Sequence, residues 1–256
     1  MVDYTLPPKV SYFNRLLRWS PPRKDQPELL DQGAGSESDV RMNLHEMWVI
    51  NRWLGGVQAL TRHLFPLLRR QQKAPLRIVD IGTGAGEMAF FIARWARQHR
   101  LPITLYPLDL SARNLAMARE HEAKASHTSN IHLLQGDASS LPFAPQSVDY
   151  YISTLFLHHL SPQQIIDFLA HTYHLAQRGI IMSDLTRGYL PLIAFRLIQP
   201  LFARHYLTRH DGILSIRRAY TPGELSILAQ AAGLKNVRIY THFPWRMTLI
   251  AEKSLV

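Results

Sequence analysis

The sequence predicts an α/β fold that is built on a parallel sheet. From about residue 76 onward, short apolar strand segments alternate with amphipathic helical segments, which is typical of successive βα units. A glycine-rich turn joins the first of these strands to its helix, and three successive strands end near an aspartate. The chain has 256 residues, 46% of them hydrophobic, so one domain with a large core is expected.

The glycine-rich turn lies in residues 76–87, which read Leu-Arg-Ile-Val-Asp-Ile-Gly-Thr-Gly-Ala-Gly-Glu. Residues 77–80 read as a buried strand, and the apolar residues of 88–95 recur at helical spacing. The glycines let the backbone approach a ligand closely, because they have no Cβ. A dinucleotide fingerprint would need its third glycine at position 87, where this chain has Glu87. The spacing therefore argues against a pyrophosphate site.

Acidic residues end the next two strands. Residues 103–109 form the second strand and end in Asp109, and Ser111 then caps a helix. Asp109 follows the glycines by about twenty residues, where a carboxylate can accept hydrogen bonds from both hydroxyls of a ribose. Residues 131–137 form a third strand that ends in Asp137. A strand-end cap explains one aspartate, but three on successive strands favour a binding edge.

These motifs resemble those of class I S-adenosylmethionine-dependent methyltransferases, from Leu76 to the C-terminus. The resemblance implies a Rossmann-like, seven-stranded, mostly parallel sheet with an antiparallel last strand and an N-terminal helical extension. It implies S-adenosylmethionine as cofactor, with Asp80 and the glycine loop facing the methionine part, Asp109 on the ribose, and Asp137 with the Ala138 amide on the adenine. The expected cofactor-binding residues are Asp80, Gly82, Thr83, Gly84, Gly86, Asp109, Leu110, Asp137, Ala138 and Ser153.

Residues 1–72 are predicted to form the helical extension, and residues 73–256 the cofactor-binding domain. A short amphipathic helix is expected at 12–19, a mobile linker at 20–38, and helical structure at 39–70 with a break at two glycines. In similar methyltransferases such an extension often covers the cofactor pocket as a lid. Asn51, Arg52 and Trp53 are the predicted contact, and ordinary packing on the sheet is the alternative.

The remaining core elements are predicted from periodicity and caps. A fourth strand spans 148–154, a helix begins at Pro162 after the N-cap Ser161, and a fifth strand spans 179–185. Thr221 and Glu224 form a capping box that opens another helix, and two final strands form a hairpin at 236–253.

Residues 186–219 are an insert between the fifth strand and the next helix, at the edge where open α/β sheets bind ligands. We interpret it as a cover for a lipophilic substrate. Resting on an anionic membrane, or packing as a core helix kinked at Pro200, are the alternatives. Its predicted apolar stripe is Leu190, Ile193, Leu197, Leu201 and Phe202, and its predicted basic side is Arg187, Arg196, Arg204 and Arg209.

Candidate catalytic groups follow the fourth and fifth strands. A phenol or enol acceptor benefits from a base, and histidine titrates near neutral pH. His158, His159 and Asp184 are therefore the catalytic candidates, with a structural role for both histidines as the alternative. Trp53, Arg187 and His210 are the predicted substrate or lid residues, and no metal is expected.

Composition narrows the function classes. The absence of cysteine excludes disulfides, thiolate metal sites and covalent cysteine catalysis. The fourth strand lacks the Asn-Pro-Pro-Tyr run of amino-group methyltransferases. We therefore expect a small, lipophilic aromatic, polyketide-like or quinone-like acceptor of secondary metabolism, methylated on oxygen rather than carbon. An RNA methyltransferase and a non-catalytic binding module are the alternatives.

The net charge of +10 is compatible with an acidic partner such as an anionic membrane surface or an acidic carrier protein, and basic clusters that are simply solvated surface are the alternative. Nucleic acid is less favoured, because the basic residues form separate clusters rather than a stripe interleaved with aromatics. With no signal pattern and no apolar run of membrane-spanning length, a cytoplasmic protein is expected, with peripheral membrane attachment as a variant. The sequence does not predict the oligomeric state.

Overall fold

The computed structural model describes residues 20–70, 75–124 and 130–253, so the predicted helix at 12–19 and the predicted boundary at residues 72 and 73 lie outside the described residues. The sheet has seven strands in the order β3-β2-β1-β4-β5-β7-β6, and β7 alone runs antiparallel to the other six. This confirms the predicted fold class. The strands are β1 (Leu76–Ile81), β2 (Ile103–Asp109), β3 (Leu134–Gln135), β4 (Val148–Thr154), β5 (Ala176–Leu185), β6 (Val237–His242) and β7 (Arg246–Glu252).

Eight α-helices lie within the described residues, and three of them begin with a capping box, in which the cap side chain and the third helical residue bond each other's backbone N–H. The caps are Ser36, Ser161 and Thr221. The helices are α1 (Glu37–Trp53), α2 (Gly56–Arg70), α3 (Glu87–Gln98), α4 (Ala112–Lys124), α5 (Pro162–Leu175), α6 (Tyr189–Phe202), α7 (Tyr206–Arg218) and α8 (Pro222–Ala231).

The core lies on both faces of the sheet. Successive side chains of a strand point to opposite faces, so Val79 and Ile81 join the cluster under α5 and α8, whereas Ile78 joins the cluster under α2 and α3. Burial on both faces explains why β1 and β4 read as nearly continuous apolar runs. Since α2 contributes Leu60, Leu64 and Leu68 to the second cluster, the N-terminal helices are part of the same core.

The strand order reverses beside β1. The chain runs outward from β1 to β2 and β3 on one side, and to β4 and β5 on the other. At such a switch point the loops after neighbouring strands diverge and leave a crevice at the carboxyl edge. The glycine turn after β1 and the predicted acidic and histidine residues lie at this edge.

Residues 20–35 do not behave as the mobile linker predicted from their proline and glycine content. They form a strap that packs across the carboxyl edge of the sheet. Arg23 donates to the carbonyls of Arg218 (2.7 Å) and Leu160 (2.9 Å), and the carboxylate of Asp211 accepts from the backbone N–H groups of Leu29 and Leu30. The segment that contains these prolines and glycines is therefore held against the sheet by hydrogen bonds and is not a free linker.

The insert at 186–219 forms two helices, α6 and α7, and the predicted apolar stripe faces outward. Leu190, Ile193, Leu197 and Leu201 are exposed, whereas Leu192 and Phe195 on the opposite side are buried. The sequence identified this stripe but not the direction in which it faces, and in the structure Pro191 and Phe195 of α6 line the pocket instead. Within the described residues, no helix is both long and apolar enough to span a bilayer.

Candidate active site

The turn after β1 has the geometry of a backbone cradle. Gly82, Gly84 and Gly86 have φ angles of 69°, 60° and 80°, a region that glycine enters without strain. A Cβ at Gly82 would lie 2.6 Å from the ring of Phe156, so a side chain there would clash. Gly86 directly precedes α3, whose N-terminal N–H groups add partial positive charge.

Two carboxylates flank this turn. Asp80 is buried and accepts a hydrogen bond from the hydroxyl of Thr83 at 2.7 Å. Burial, aided by the nearby charges of Asp109 and Glu87, raises the pKa of Asp80 to about 7. A cationic ligand would favour the ionised form and lower this pKa again.

Asp109 ends β2 beside the same turn. Its Oδ2 accepts from the Gly84 N–H at 2.8 Å, and its Oδ1 accepts from the Ser111 N–H and the Asn114 amide. Burial raises the pKa of Asp109, against the effect of these hydrogen bonds. The hydrogen bonds fix the carboxylate at the edge, where Oδ1 already accepts two of them and Oδ2 keeps capacity to accept one more.

The remaining predicted cofactor residues divide into two groups. Leu110, Asp137 and Ala138 follow β2 and β3 at the carboxyl edge, where Leu110 and Asp137 are exposed and Ala138 is half-buried. Ser153 is different, because it is fully buried and its hydroxyl donates to Sδ of Met182 at 3.0 Å. The structure therefore places Ser153 inside the sheet packing and not on the binding edge.

Helix α1 covers the glycine turn, but not through the predicted residues. Val40 and Leu44 pack against Ala85 of the turn, and Leu44 approaches the open position at Gly84. Trp53 lies at the far end of α1 and is 72% exposed, and Arg52 is exposed beside it. The lid-like contact therefore lies two to three helical turns earlier than predicted.

His158 is held in a buried cluster of charges. Its Nδ1 lies 2.8 Å from Oδ1 of Asp184, and its Nε2 lies 3.5 Å from Oε1 of Glu28. Burial opposes the charge, but the two carboxylates overcome it and raise the pKa of His158 to about 10. The imidazole is thus a cation at neutral pH with both nitrogens facing carboxylates. This geometry does not favour the predicted roles of His158 as proton acceptor and Asp184 as base.

His159 is also paired. Its Nδ1 lies 3.0 Å from the carboxylate of Asp31, which in turn accepts from the Arg218 guanidinium at 2.9 Å. Burial works against ionisation of Asp31, but these partners hold its pKa well below the usual range. Glu28 and Asp31 belong to the strap, more than 120 residues away in sequence from His158, and no local pattern predicts such pairs.

Glu28, His158 and His159 offer ligand atoms within 4.8 Å of one another. Each of these side chains already has an oppositely charged partner, and the guanidinium of Arg218 bonds the carbonyls of both histidines. A divalent cation would add charge beside this arginine and displace existing hydrogen bonds. The donor set therefore fits an ion-pair network better than a metal site.

An apolar pocket lies beside the cofactor edge, between α1, α6, α7 and the loops after β4, β5 and β6. It lies near the glycine turn, since Leu155 lines the pocket and the ring of the next residue, Phe156, packs against Gly82. Its apolar walls include Met47, Ile50, Leu54, Leu155, Leu185, Pro191, Phe195, Ile198, Ile216, Pro244 and Trp245.

Three polar side chains of this pocket have a buried atom without a hydrogen bond to the described residues: Arg246, Asn43, and His158, whose Nε2 has only the 3.5 Å ion pair with Glu28. Arg246 is buried, and its Nε and Nη1 find no partner among the residues that the structure describes. Burial lowers the pKa of Arg246 to about 10, against the effect of Asp184, so the side chain is a cation at neutral pH.

Asn43 donates to the Thr208 hydroxyl, but its Oδ1 is buried without a donor. Buried polar groups are normally paired. The available partners are a ligand in the pocket or, for Nε of Arg246, the Oδ1 of Asn51, which is also unpaired and lies beside the same position at Gly56.

The predicted substrate residues Arg187 and His210 lie elsewhere. Arg187 is buried and bonds the carbonyls of Pro21 and Ala219 and the carboxylate of Glu224, so it joins the strap to α8. His210 is half-exposed and pairs with Asp211. Neither lines the pocket, whereas Arg246, which sequence reasoning missed, does. The sequence feature that could have identified Arg246 is its position as the first residue of β7, the antiparallel strand that pairs with β5.

The residues present fit an S-adenosylmethionine molecule. The glycine turn offers a backbone surface without Cβ atoms, and Asp80 and Asp109 supply negative charge for a sulfonium cation and acceptors for a ribose. The open apolar pocket adjoins this surface, so an acceptor and a cofactor could lie side by side.

Comparison with known proteins agrees with this geometry. Residues 78–179 match a family described as a methyltransferase domain. Among curated relatives, the chain is 27% identical to the ubiquinone/menaquinone biosynthesis C-methyltransferase UbiE of Methylobacterium nodulans, over 81% of this chain and 86% of the relative. It is 28% identical to the 2-phytyl-1,4-naphtoquinone methyltransferase of Thermosynechococcus vestitus, over 63% of this chain and 73% of the relative.

Solved structures share the fold. A SAM-dependent methyltransferase from Aquifex aeolicus superposes with a TM-score of 0.56 at 15% identity, covering 86% of this chain and 99% of that one. Human N-acetylserotonin methyltransferase, solved with SAM, superposes with a TM-score of 0.58 at 17% identity, covering 89% of this chain and 62% of that one. The solved structures share the fold, and the family match over residues 78–179 and the named relatives, together with the glycine turn and the strand-end carboxylates, support a class I S-adenosylmethionine-dependent methyltransferase.

Proposed function

We propose that this methyltransferase acts on a small, lipophilic aromatic acceptor of the quinol type. The observation that carries the proposal is the apolar pocket beside the cofactor edge, with the buried, unpaired guanidinium of Arg246 in its wall. Apolar walls favour a lipophilic ring, and one buried cation selects an acidic oxygen on it. The names of the UbiE and naphtoquinone relatives, which refer to quinone methylation, agree with this acceptor class.

The chain's own residues would position the two reactants. Asp80 and the glycine turn would hold the methionine part, and Asp109 the ribose. The bound cofactor supplies an electrophilic methyl group. Leu44 covers the glycine turn, while α6 and α7 enclose the pocket, so water is kept from the reacting atoms.

Arg246 would stabilise the ionised form of the acceptor. A phenol beside a buried guanidinium loses its proton more readily, because the phenolate gains a charge-assisted hydrogen bond. The Oδ1 of Asn43 would accept a hydrogen bond from a second hydroxyl. On this account activation comes from electrostatics and positioning, and His158 does not need to accept a proton.

The sequence favoured methylation on oxygen, and that expectation stays a prediction. The position of Arg246 favours a second candidate for the atom that is methylated, which is the ring carbon next to the anchored oxygen. An oxygen held by a guanidinium has its lone pairs engaged, whereas the adjacent carbon gains electron density from the phenolate. The relatives named as C-methyltransferases agree with the carbon. The position of the new methyl group in the product decides between the two.

An acceptor series tests the proposed function. The purified protein is incubated with methyl-labelled S-adenosylmethionine and a prenylated hydroquinone, its dimethyl ether, or bulk RNA. We expect label in the hydroquinone product and none in the dimethyl ether or the RNA. The comparisons give no support to the RNA methyltransferase or the non-catalytic module. Labelled RNA without labelled hydroquinone would overturn the proposal.

A further inference from the structure

A ridge of exposed apolar side chains surrounds the mouth of the pocket. Leu190, Ile193, Leu197 and Leu201 lie on one side of α6 at positions i, i+3, i+7 and i+11, and all four are more than half exposed. Trp53 and Phe243 are 72% and 91% exposed. These six residues are called the exposed rim. Isolated apolar residues are common on surfaces, but a contiguous set of this kind marks an interaction site.

Residues that neighbour the rim in the sequence line the pocket, which indicates that the rim lies at the pocket mouth. Leu54, Pro191, Ile198 and Pro244 line the pocket, and each is adjacent to a rim residue in the chain. The loop with Phe243 also meets the end of α1, because the Phe243 carbonyl lies 2.7 Å from where a Cβ on Gly55 would stand. Four of the six rim residues are therefore next in the chain to a pocket-lining residue, which places the rim near the pocket mouth.

Positive charge flanks this surface. Arg52 is exposed beside Trp53, and Arg196, Arg204 and Arg209 are exposed on and after α6. Within residues 186–219 the sequence has six arginines and one acid, and that acid, Asp211, is buried under the strap. An apolar helix face with flanking arginines has the chemistry of a segment that lies in the headgroup region of an anionic bilayer.

We propose that the exposed rim docks this methyltransferase on an anionic lipid bilayer, with the pocket mouth facing the acyl chains. A second copy of the chain fits this face less well. Such a dimer would bring the flanking arginines of two molecules together, each with a net charge of +10, and it would close the pocket. At 14 residues α6 lies on the bilayer and does not cross it.

Docking gives a lipophilic acceptor a direct path from the bilayer to the pocket. This consequence rests on the proposed function, whereas the docking surface is argued from exposure and charge alone. The two are therefore tested separately, with vesicles that contain no acceptor and with a short-chain, water-soluble acceptor that needs no vesicle.

Vesicle flotation of the full-length protein tests the docking. We expect flotation with vesicles of phosphatidylcholine and phosphatidylglycerol, weaker flotation with phosphatidylcholine alone, and loss of the difference at high salt. The double variant Ile193→Glu/Leu197→Glu should bind anionic vesicles at least about tenfold more weakly, because two apolar side chains no longer insert. Arg196→Glu/Arg204→Glu should weaken binding about fivefold or more, on anionic vesicles only.

Met42→Glu is the matched control. Met42 is also half-exposed on α1, but it lies about 16 Å along the helix from Trp53, so its change should leave flotation unaltered. All these side chains are exposed, so the variants should unfold at the wild-type temperature. The rim variants should also keep wild-type turnover with the water-soluble acceptor, since they do not line the pocket.

Three results would overturn the proposal. The first is a wild-type protein that fails to float with anionic vesicles. The second is a pair of rim variants that float as the wild type does. The third is a wild-type dimer in solution that Ile193→Glu/Leu197→Glu converts to a monomer, which would assign the rim to a second copy. If flotation holds while no hydroquinone is methylated, the docking stands and the proposed acceptor class falls.

Discussion

The His158 imidazole donates from Nδ1 to Oδ1 of Asp184 at 2.8 Å, and the backbone N–H of His158 donates to Oδ2 of the same carboxylate at 2.9 Å. Both side chains are buried. This double contact joins the loop after β4 to the end of β5, so it fixes the two loops that form the pocket wall. With Glu28 on its other nitrogen, His158 also holds the strap against the sheet.

Replacing His158 should therefore cost stability more than chemistry. His158→Gln leaves Glu28 buried without its cation and leaves Asp184 with only the charge of Arg246 nearby, and removing one partner of a buried pair costs about 3–5 kcal/mol. Urea unfolding measures this loss. His210→Gln is the control, because His210 is half-exposed and its change should cost less than about 1 kcal/mol. A His158→Gln protein of wild-type stability that binds cofactor but lacks turnover would restore the histidine as a base.

Stability should depend on pH in a way that follows from this cluster. The pKa of His158 is raised to about 10, so its contribution is complete below the unfolded value of 6.5 and is lost as the pH rises through 10. Burial opposes ionisation of Glu28 and Asp184, but His158 holds both pKa values below their usual range. Their contribution is therefore lost as the pH falls below the unfolded values of 4.5 and 3.8. Unfolding titrations across pH should show a maximum near pH 5–6.5 that His158→Gln flattens. An unchanged profile in this variant would contradict the assignment.

Cofactor affinity should rise with pH near neutrality. The pKa of Asp80 is about 7 in the free protein, so the carboxyl is largely protonated at about pH 6 and ionised at about pH 8. A sulfonium cation favours the ionised form, and calorimetry should show tighter S-adenosylmethionine binding at the higher pH with proton release at neutral pH. Asp80→Asn should remove this dependence, whereas Asp167→Asn, on the exposed side of α5, should not. Equal affinity at both pH values would place Asp80 away from the cofactor.

Asp109 should contribute to cofactor affinity through its remaining acceptor capacity. Hydrogen bonds to a charged group are worth about 1.5–3 kcal/mol, so Asp109→Ala should weaken S-adenosylmethionine binding about 10- to 100-fold. S-adenosylhomocysteine has the same ribose but lacks the sulfonium charge, and its affinity should fall to a similar extent. Calorimetric titration with both ligands separates the ribose contact from a charge effect. Unchanged affinity for both would show that the site assignment is wrong.

The fold and the cofactor edge were largely predictable because their signals are local. The glycine turn, the strand-end aspartates and two capping boxes each occupy a few consecutive residues, and the structure places the elements accordingly. The third strand was predicted over 131–137, but only Leu134–Gln135 pair as a strand, with one isolated bridge at Ile131. As the last strand on its edge of the sheet, it has one neighbour and little pairing.

The acceptor pocket was less predictable, because distant segments build it. Arg23 of the strap reaches the carbonyls of His158 and Leu160 across more than 130 residues, and proline and glycine content predicted only a mobile linker there. Arg246 occupies the pocket because β7 runs antiparallel beside β5, and this pairing brings it opposite Leu185. Periodicity alone carries no information about such long-range placement.

Methyl-transfer assays of the Arg246→Met variant show whether Arg246 anchors the acceptor. Nε and Nη1 of Arg246 have no hydrogen-bond partner among the described residues, and burial of the charge is costly. Met should therefore change stability little, since only the attraction to Asp184 is lost. If Arg246 anchors the ionised oxygen of the acceptor, kcat/KM for labelled methyl transfer to the prenylated hydroquinone should fall about 10- to 100-fold. Affinity for S-adenosylmethionine should be unchanged, and Arg246→Lys should keep part of the activity. Full activity in a stable Arg246→Met protein would contradict the account.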